Sequence, residues 1–440
     1  MNMKLNKYTS ILLGLGVLSL AGVAQAANPV VYLAGASALR STLYTVATSS
    51  QSFFDGGVAG SIVSAAPNNT SSSTYIVFEG PINGVTTDIS IFWTGAEAGV
   101  ADVAGNLLTQ TLNNGNVDPV NGVGTFPVPG SPGTFLTQSS GWTTTAKLSQ
   151  ISGAPSVADL ALDDTSQAVS LTPKALYNLT DYGAIAVVPF SFLKGYESSP
   201  DSAWNHVVNV TTAEINQIYS APASANFVTG VPADSGDYVA LTGRNLSSGT
   251  RVNALLTSQY GVTKPVDQWA YDVSYSGPGV LAAGTSYSSP GALTEIQNDG
   301  FNSSGTAAAQ LNFDGTGQGV VLIEPLAVPD AASAHSPTAG GAATYLPYNG
   351  VYESDAAVEN GSYTFWGYEH IFGTVSQSPT STAGTAGQNI SNAVKAYVLA
   401  HYGTATGAVG PTYSAQSPLI PISLLQITRS GDGGFPAPKN

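Results

Sequence analysis

Tyr238-Val239-Ala240-Leu241-Thr242-Gly243-Arg244-Asn245-Leu246-Ser247-Ser248-Gly249-Thr250-Arg251 reads as a strand, a small-residue loop and the start of a helix. Tyr238–Leu241 is the apolar run of the strand. Beyond the loop, Val252, Leu255, Leu256 and Tyr260 recur at helical spacing. A helix starting there turns its unpaired backbone N–H groups and the positive end of its dipole toward whatever lies before Ser248-Gly249-Thr250, which suits an anion. Arg244 adds a planar, permanently charged fork that matches phosphate or carboxylate oxygens. A capping serine beside a surface arginine would give the same string, so the rest of the chain decides between the two readings.

The same unit recurs at the start of the folded chain. Val30–Leu33 is a strand, Ala34-Gly35-Ala36-Ser37-Ala38 a loop, and Leu39, Leu43 and Val46 share one helical face. Strands Tyr75–Phe78 and Ile89–Trp93 precede a second small-residue turn, Thr94-Gly95-Ala96-Glu97-Ala98-Gly99. Leu160–Asp164 is a short strand ending in two acids, and Ile185–Phe190 is a continuous apolar strand of the kind buried on both faces. Thr211-Thr212-Ala213-Glu214 has the form of a capping box, with Ile215, Ile218 and Tyr219 on one face of its helix. Val320–Ile323 and the aromatic run Ser362–Phe372 are further strands, and Ile390–His401 is a helix. Strands alternating with helices predict α/β architecture with a largely parallel sheet. Residues 105–157, rich in Asn, Gly, Pro, Ser and Thr, read as a long surface excursion with room for a hairpin.

Composition sets outer bounds. Charged residues are 9% of the 440 but hydrophobic residues are 43%, which describes a folded chain with a Ser/Thr/Asn/Gly surface rather than a disordered one. A net charge of −15 argues against nucleic acid as a partner. Residues 1–26 read as a cleaved secretory signal: Lys4 and Lys7, the apolar stretch Ile11–Val23, then Ala24-Gln25-Ala26. The expected location is therefore the periplasm or the cell exterior. With no cysteine, neither disulfides nor a lipoprotein anchor is expected. His206, His335, His370 and His401 are isolated, and there is no Gly-x-Ser-x-Gly elbow, so no metal, cofactor or catalytic residue is assigned.

Four motifs, in order, resemble the substrate-binding component of phosphate ABC transporters, within the type II periplasmic binding proteins. They are Gly35-Ala36-Ser37 after the first strand, Val210–Tyr219 with its threonine-rich start and Ile-Tyr, Arg244 through Ser248-Gly249-Thr250, and Asn360-Gly361-Ser362-Tyr363 before an aromatic strand. The resemblance implies two α/β lobes with mixed, mostly parallel sheets, ligand in the cleft between them, and closure by hinge bending. It puts the crossings near Ile185–Phe190 and Tyr363–Ile371. Residues 27–187 with 363–440 would form a discontinuous first lobe carrying the 105–157 insertion, and 188–362 the second.

Carried over position by position, the resemblance implies ligand contacts at Ser37, Arg244, Ser248, Gly249 and Thr250, with Ala38 where the family often has an aromatic residue. Asp163 or Asp164 would match the aspartate that accepts a hydrogen bond from a protonated phosphate. Ala96, Glu97, Arg40 and Arg251 are second-rank candidates. Two departures stand out. Leu246 occupies a position where phosphate binders often carry an acid, which would leave Arg244 less neutralised. Glu97 would set a carboxylate at the mouth, repelling phosphate unless Arg40 or Arg251 pairs with it. The function implied is capture of a small oxyanion, phosphate first, by a secreted monomer serving an ABC permease, without catalysis. The alternatives are a surface or matrix protein that retains the fold, and an extracellular phosphatase or other hydrolase.

Overall fold

The computed structural model describes residues 28–66, 73, 75–93, 95–103, 126–127, 135–136, 158–170, 179–277, 280–296, 300–301, 303–373, 378, 380–402 and 417–439. The expected secretory segment, 1–26, lies outside these residues, as does nearly all of 105–157. Within that stretch, Phe126–Pro127 pairs antiparallel with Phe135–Leu136. No helix among the described residues is long and apolar enough to cross a membrane.

The main sheet has 11 strands. In chain order they are β1 (Val30–Gly35), β2 (Ser61–Ala66), β3 (Tyr75–Ile82), β4 (Val85–Phe92), β5 (Leu160–Asp163), β6 (Thr180–Lys194), β7 (Ala223–Ser224), β8 (Tyr238–Leu241), β9 (Val320–Ala327), β10 (Thr344–Leu346) and β11 (Trp366–Gly373). Across the sheet the order is β2-β3-β4-β1-β5-β11-β6-β9-β8-β7, with β10 also paired to β6. The helices that matter for the site are α1 (Arg40–Ala47), α2 (Ala96–Val103), α3 (Thr212–Ser220), α4 (Gly249–Thr257), α5 (Ser304–Gln310), α6 (Val328–His335) and α7 (Thr382–His401). The sheet is mixed, but less parallel than expected. β1–β4, β1–β5 and β8–β9 are its parallel pairs among the described residues; the other pairings are antiparallel.

Two local causes explain the excess of antiparallel pairs. Asn83 and Gly84 adopt φ of 52° and 72°, the left-handed pair of a tight hairpin turn, so β3 and β4 are two arms of one hairpin. The second cause is β6, a 15-residue strand that changes partners along its length. Thr180–Pro189 pairs antiparallel with β11, whereas Phe190–Lys194 pairs antiparallel with β9. One strand thus joins the two halves of the sheet. Its apolar middle is the run read as doubly buried.

The chain passes between the halves a second time at Tyr363–Trp366. Phe365 is fully buried against Phe190 and Phe192, with ring centroids 5.2 and 4.8 Å away, and the Tyr363 hydroxyl donates to the Phe190 carbonyl at 2.6 Å. The regular strand starts at Trp366 rather than Ser362, because Gly361 turns with φ of 79° and the Ser362 N–H bonds the Asn360 side chain at 2.8 Å. The Thr211–Glu214 capping box forms as the sequence predicts.

Residues 417–439 strap this junction from outside. Ile420 and Val187 of β6 exchange two backbone bonds of 2.9 Å. The Arg429 guanidinium stacks 3.5 Å over the Trp366 ring and donates to the Trp366 and Thr364 carbonyls. Asp432 accepts from the Ser166 N–H at 2.6 Å, and Gly433 lies so close to α4 that a Cβ there would meet Leu256 Cβ at 2.6 Å.

Phe365→Ala should therefore lower stability by about 3–5 kcal/mol, the usual cost of emptying a buried phenylalanine site. Urea unfolding checks this; a loss below about 1 kcal/mol would mean that the crossing packs without it.

Candidate functional site

Within each half, parallel strands deliver their carboxyl ends to one place, and ligands of open α/β sheets bind outside such ends. β1 leads to Ala36, Ser37 and Ala38; β4 to Gly95 and Ala96; β5 to Asp164; β8 to Arg244, Ser248, Gly249 and Thr250; β9 to Ala327 and Asp330. With Ser304 these residues line a single cleft. Its free space is about 20 Å³, above the roughly 10–15 Å³ that one water needs and far below a pocket for a drug-sized molecule.

Helix N-termini converge on this space. The 3-10 turn Ser37–Leu39 ahead of α1, and the first turns of α2, α4 and α6, all contribute lining residues. Each brings N–H groups without intrahelical partners and a partial positive charge. Ser248 is the N-cap of α4, accepting from the Arg251 N–H at 3.3 Å, and also lines the cleft. Capping uses the hydroxyl as acceptor and leaves its proton to donate, so the capping and ligand readings are compatible. Ser37 is the first residue of its turn, whose N-cap is Ala36 and which has no side-chain cap.

Two glycines let the walls meet. A Cβ on Gly249 would sit 1.9 Å from Asp164 Oδ1, and one on Gly95, whose φ is 96°, would sit 2.5 Å from the Ser247 carbonyl oxygen. Across the same seam Glu97 N–H donates to the Ser247 carbonyl at 3.1 Å. Asn253 of α4 donates to the Asp164 carbonyl at 2.8 Å and to that of Gly249 at 3.1 Å.

Arg244 is 6% exposed. Its Nε donates to the Phe301 carbonyl at 3.1 Å and its Nη1 to the Ser304 hydroxyl. Its charge acts on three acids. Burial pushes Asp164 up to about 6 against the pull of Arg244. Burial also raises Glu324 well above the usual carboxylate range, and raises Asp330 against Arg244, Arg40 and a hydrogen bond from Ser304. Arg244 thus opposes burial at all three acids, whereas Leu246 puts no carboxyl beside it. The acids that surround it come from β5, β9 and α6.

The sequence candidates separate cleanly. Ser37, Ala38, Ala96, Asp164, Arg244, Ser248, Gly249 and Thr250 line the cleft together. Asp163, Glu97, Arg40 and Arg251 are not among its lining residues. Asp163 closes its own turn, accepting from the Thr165 N–H and hydroxyl at 3.1 and 3.0 Å. Glu97 does not stand at the mouth: it is fully buried, accepts from Ser170 at 2.5 Å, and lies near Asp163. Helical geometry turns the side chain behind the first turn of α2 while leaving its N–H in front. Arg251 reaches back to the Arg244 carbonyl at 3.0 Å and so braces the loop. Arg40 acts on Asp330 rather than on Glu97. Ser304, Ala327 and Asp330 were not legible as site residues, since nothing local marks them. Among the described residues no group of His, Asp and Glu is placed to hold a metal ion.

No protein-family profile matches the chain, and no curated protein matches it by sequence. Nine chains of solved structures are similar, three of them as follows. One is a putative phosphate ABC transporter substrate-binding protein from Clostridium perfringens with bound phosphate, 11% identical, TM-score 0.42, covering 85% of this chain and 98% of that one. Another is an ABC-type phosphate transport receptor from Vibrio cholerae, 11% identical, TM-score 0.33, covering 56% and 79%. The third is PstS from Borrelia burgdorferi, 11% identical, TM-score 0.33, covering 80% and 88%.

The raised acids make a pH prediction. A carboxyl whose folded pKa lies above its unfolded value stabilises the fold fully only below the unfolded value, and that contribution is lost as pH rises through the folded one. For Asp164 the window runs from 3.8 to about 6, worth about 3 kcal/mol as an order of magnitude. Asp163 and Glu369 shift in the same direction, by burial first. The ligand-free protein should melt at lower temperature as pH climbs through this window, and Asp164→Asn should flatten part of the fall. Calorimetry showing a rising melting temperature there would contradict the assignment.

Proposed function

We propose that the chain is a two-lobe binding protein that captures a small tetrahedral oxyanion, phosphate first, for delivery to a membrane transporter. The observation that carries this reading is one small cleft onto which several helix N-termini, Arg244 and the hydroxyls of Ser37, Ser248 and Thr250 converge. Such a set replaces the water shell of an anion with fixed donors. The small cleft suits a compact ligand, and no step of covalent chemistry is needed. In this reading residues 27–187 with 363–440 form one lobe and 188–362 the other. They hinge at β6 and at Tyr363–Trp366 and close over the ligand. Secretion into the periplasm or beyond, action as a monomer, and hand-over to an ABC-type permease complete the proposal.

Asp164 supplies the discrimination. A carboxylate lining the site accepts a hydrogen bond from a protonated oxyanion and repels one with no proton to give. Phosphate is thereby preferred over sulfate. Titration calorimetry with both anions tests this. Arg244→Ala should weaken phosphate binding by at least about a hundredfold, as expected for loss of charge-assisted hydrogen bonds. Unchanged affinity in that variant would sink the site assignment, as would equal affinity of the wild type for sulfate.

A further inference from the structure

Asp164 is not the sole carboxylate in the cleft. Asp330, in the first turn of α6, also lines it, and it comes from the opposite half of the sheet. Asp164 follows β5, whereas Asp330 follows β9. The other polar side chains that line it are the hydroxyls of Ser37, Ser248, Thr250 and Ser304, which can donate or accept, and the Arg244 guanidinium, which only donates. Ionised carboxylates only accept hydrogen bonds. A ligand in this small cleft meets a carboxyl group on each wall, with the Arg244 guanidinium and the hydroxyls also in the lining.

We infer that the cleft selects an oxyanion carrying two protons, one for Asp164 and one for Asp330, so that the preferred form of phosphate is the dihydrogen monoanion. This rests on the oxyanion reading above and adds the protonation state. A dianion with one proton would leave one carboxylate facing an unprotonated phosphoryl oxygen, a desolvated like-charge contact. The two hydrogen bonds would also link the halves through the ligand.

The groups around these acids are consistent with this. Asp330 faces Arg244 from the loop after β8, Arg40 from α1, Glu324 from β9 and Ser304 from α5. Asp164 faces Arg244, Asp432 of the strap, Asp163 at its side and Glu369 of β11. Burial raises Asp330 above the ordinary carboxylate range, and Arg244 and Arg40 limit that rise. A purely structural Asp330 would neutralise Arg244 through Ser304 and do no more. In that case its removal would change affinity but not the dependence on pH.

The test is titration calorimetry with inorganic phosphate at stepped pH and constant ionic strength. Wild-type affinity should fall about tenfold per pH unit once the solution passes the second ionisation of phosphate, as required when one more proton must be taken up on binding. Asp330→Asn should lose that slope, because the remaining proton of the dianion is met by Asp164. Asp330→Ser serves if the asparagine variant misfolds, and the wild-type slope needs no variant. Wild-type affinity that is flat or rising over this range overturns the inference, as does a variant with the wild-type slope. Failure of the wild type to bind phosphate at any pH overturns the oxyanion reading beneath it. Binding without the slope overturns only the two-proton selection.

Discussion

The buried charge of Arg244 is the constraint to which the rest of the site answers. A guanidinium at 6% exposure is costly unless hydrogen-bonded and balanced. The Phe301 carbonyl and Ser304 hydroxyl meet the first need, and Arg244 favours the ionised form of Asp164, Glu324 and Asp330 against the burial that raises all three. The loop that carries Arg244 is braced from within by Arg251 on its carbonyl, and by Asn245, whose side chain accepts from the Ser247 N–H and hydroxyl. Selection among anions then rests on the directed donors and on the two carboxyl groups that line the cleft.

The parts of this arrangement that were legible in the sequence are those encoded within about ten residues. The strand–loop–helix units around Ser37 and Arg244, the capping box at Thr211, and the apolar run inside β6 depend on local spacing, and the structure contains each of them. Asp164 was legible only as one of a pair, because adjacent residues at a strand end diverge: one closes a turn and its neighbour faces the cleft.

The rest depends on long-range assembly. Asp330 lies 86 positions beyond Arg244 in an ordinary helical start, and only the pairing of β8 with β9 brings them together. Glu97 is buried rather than at the mouth, because spacing gives a position along a helix but not the direction of its side chain once α2 packs on the sheet. The Asn83-Gly84 dipeptide is local by contrast: it is a short-range hairpin signal that joins β3 and β4.

The strap formed by residues 417–439 bears on how the walls of the cleft are coupled. It touches the Ser166 turn next to Asp164, the Trp366 crossing and the flank of α4, so three stretches far apart in sequence share one fastener. It adds to the direct bonds that Glu97 and Asn253 make across the seam. A change in the strap therefore reaches the acidic wall, the arginine-bearing wall and the crossing between them at once, without touching a residue that lines the cleft.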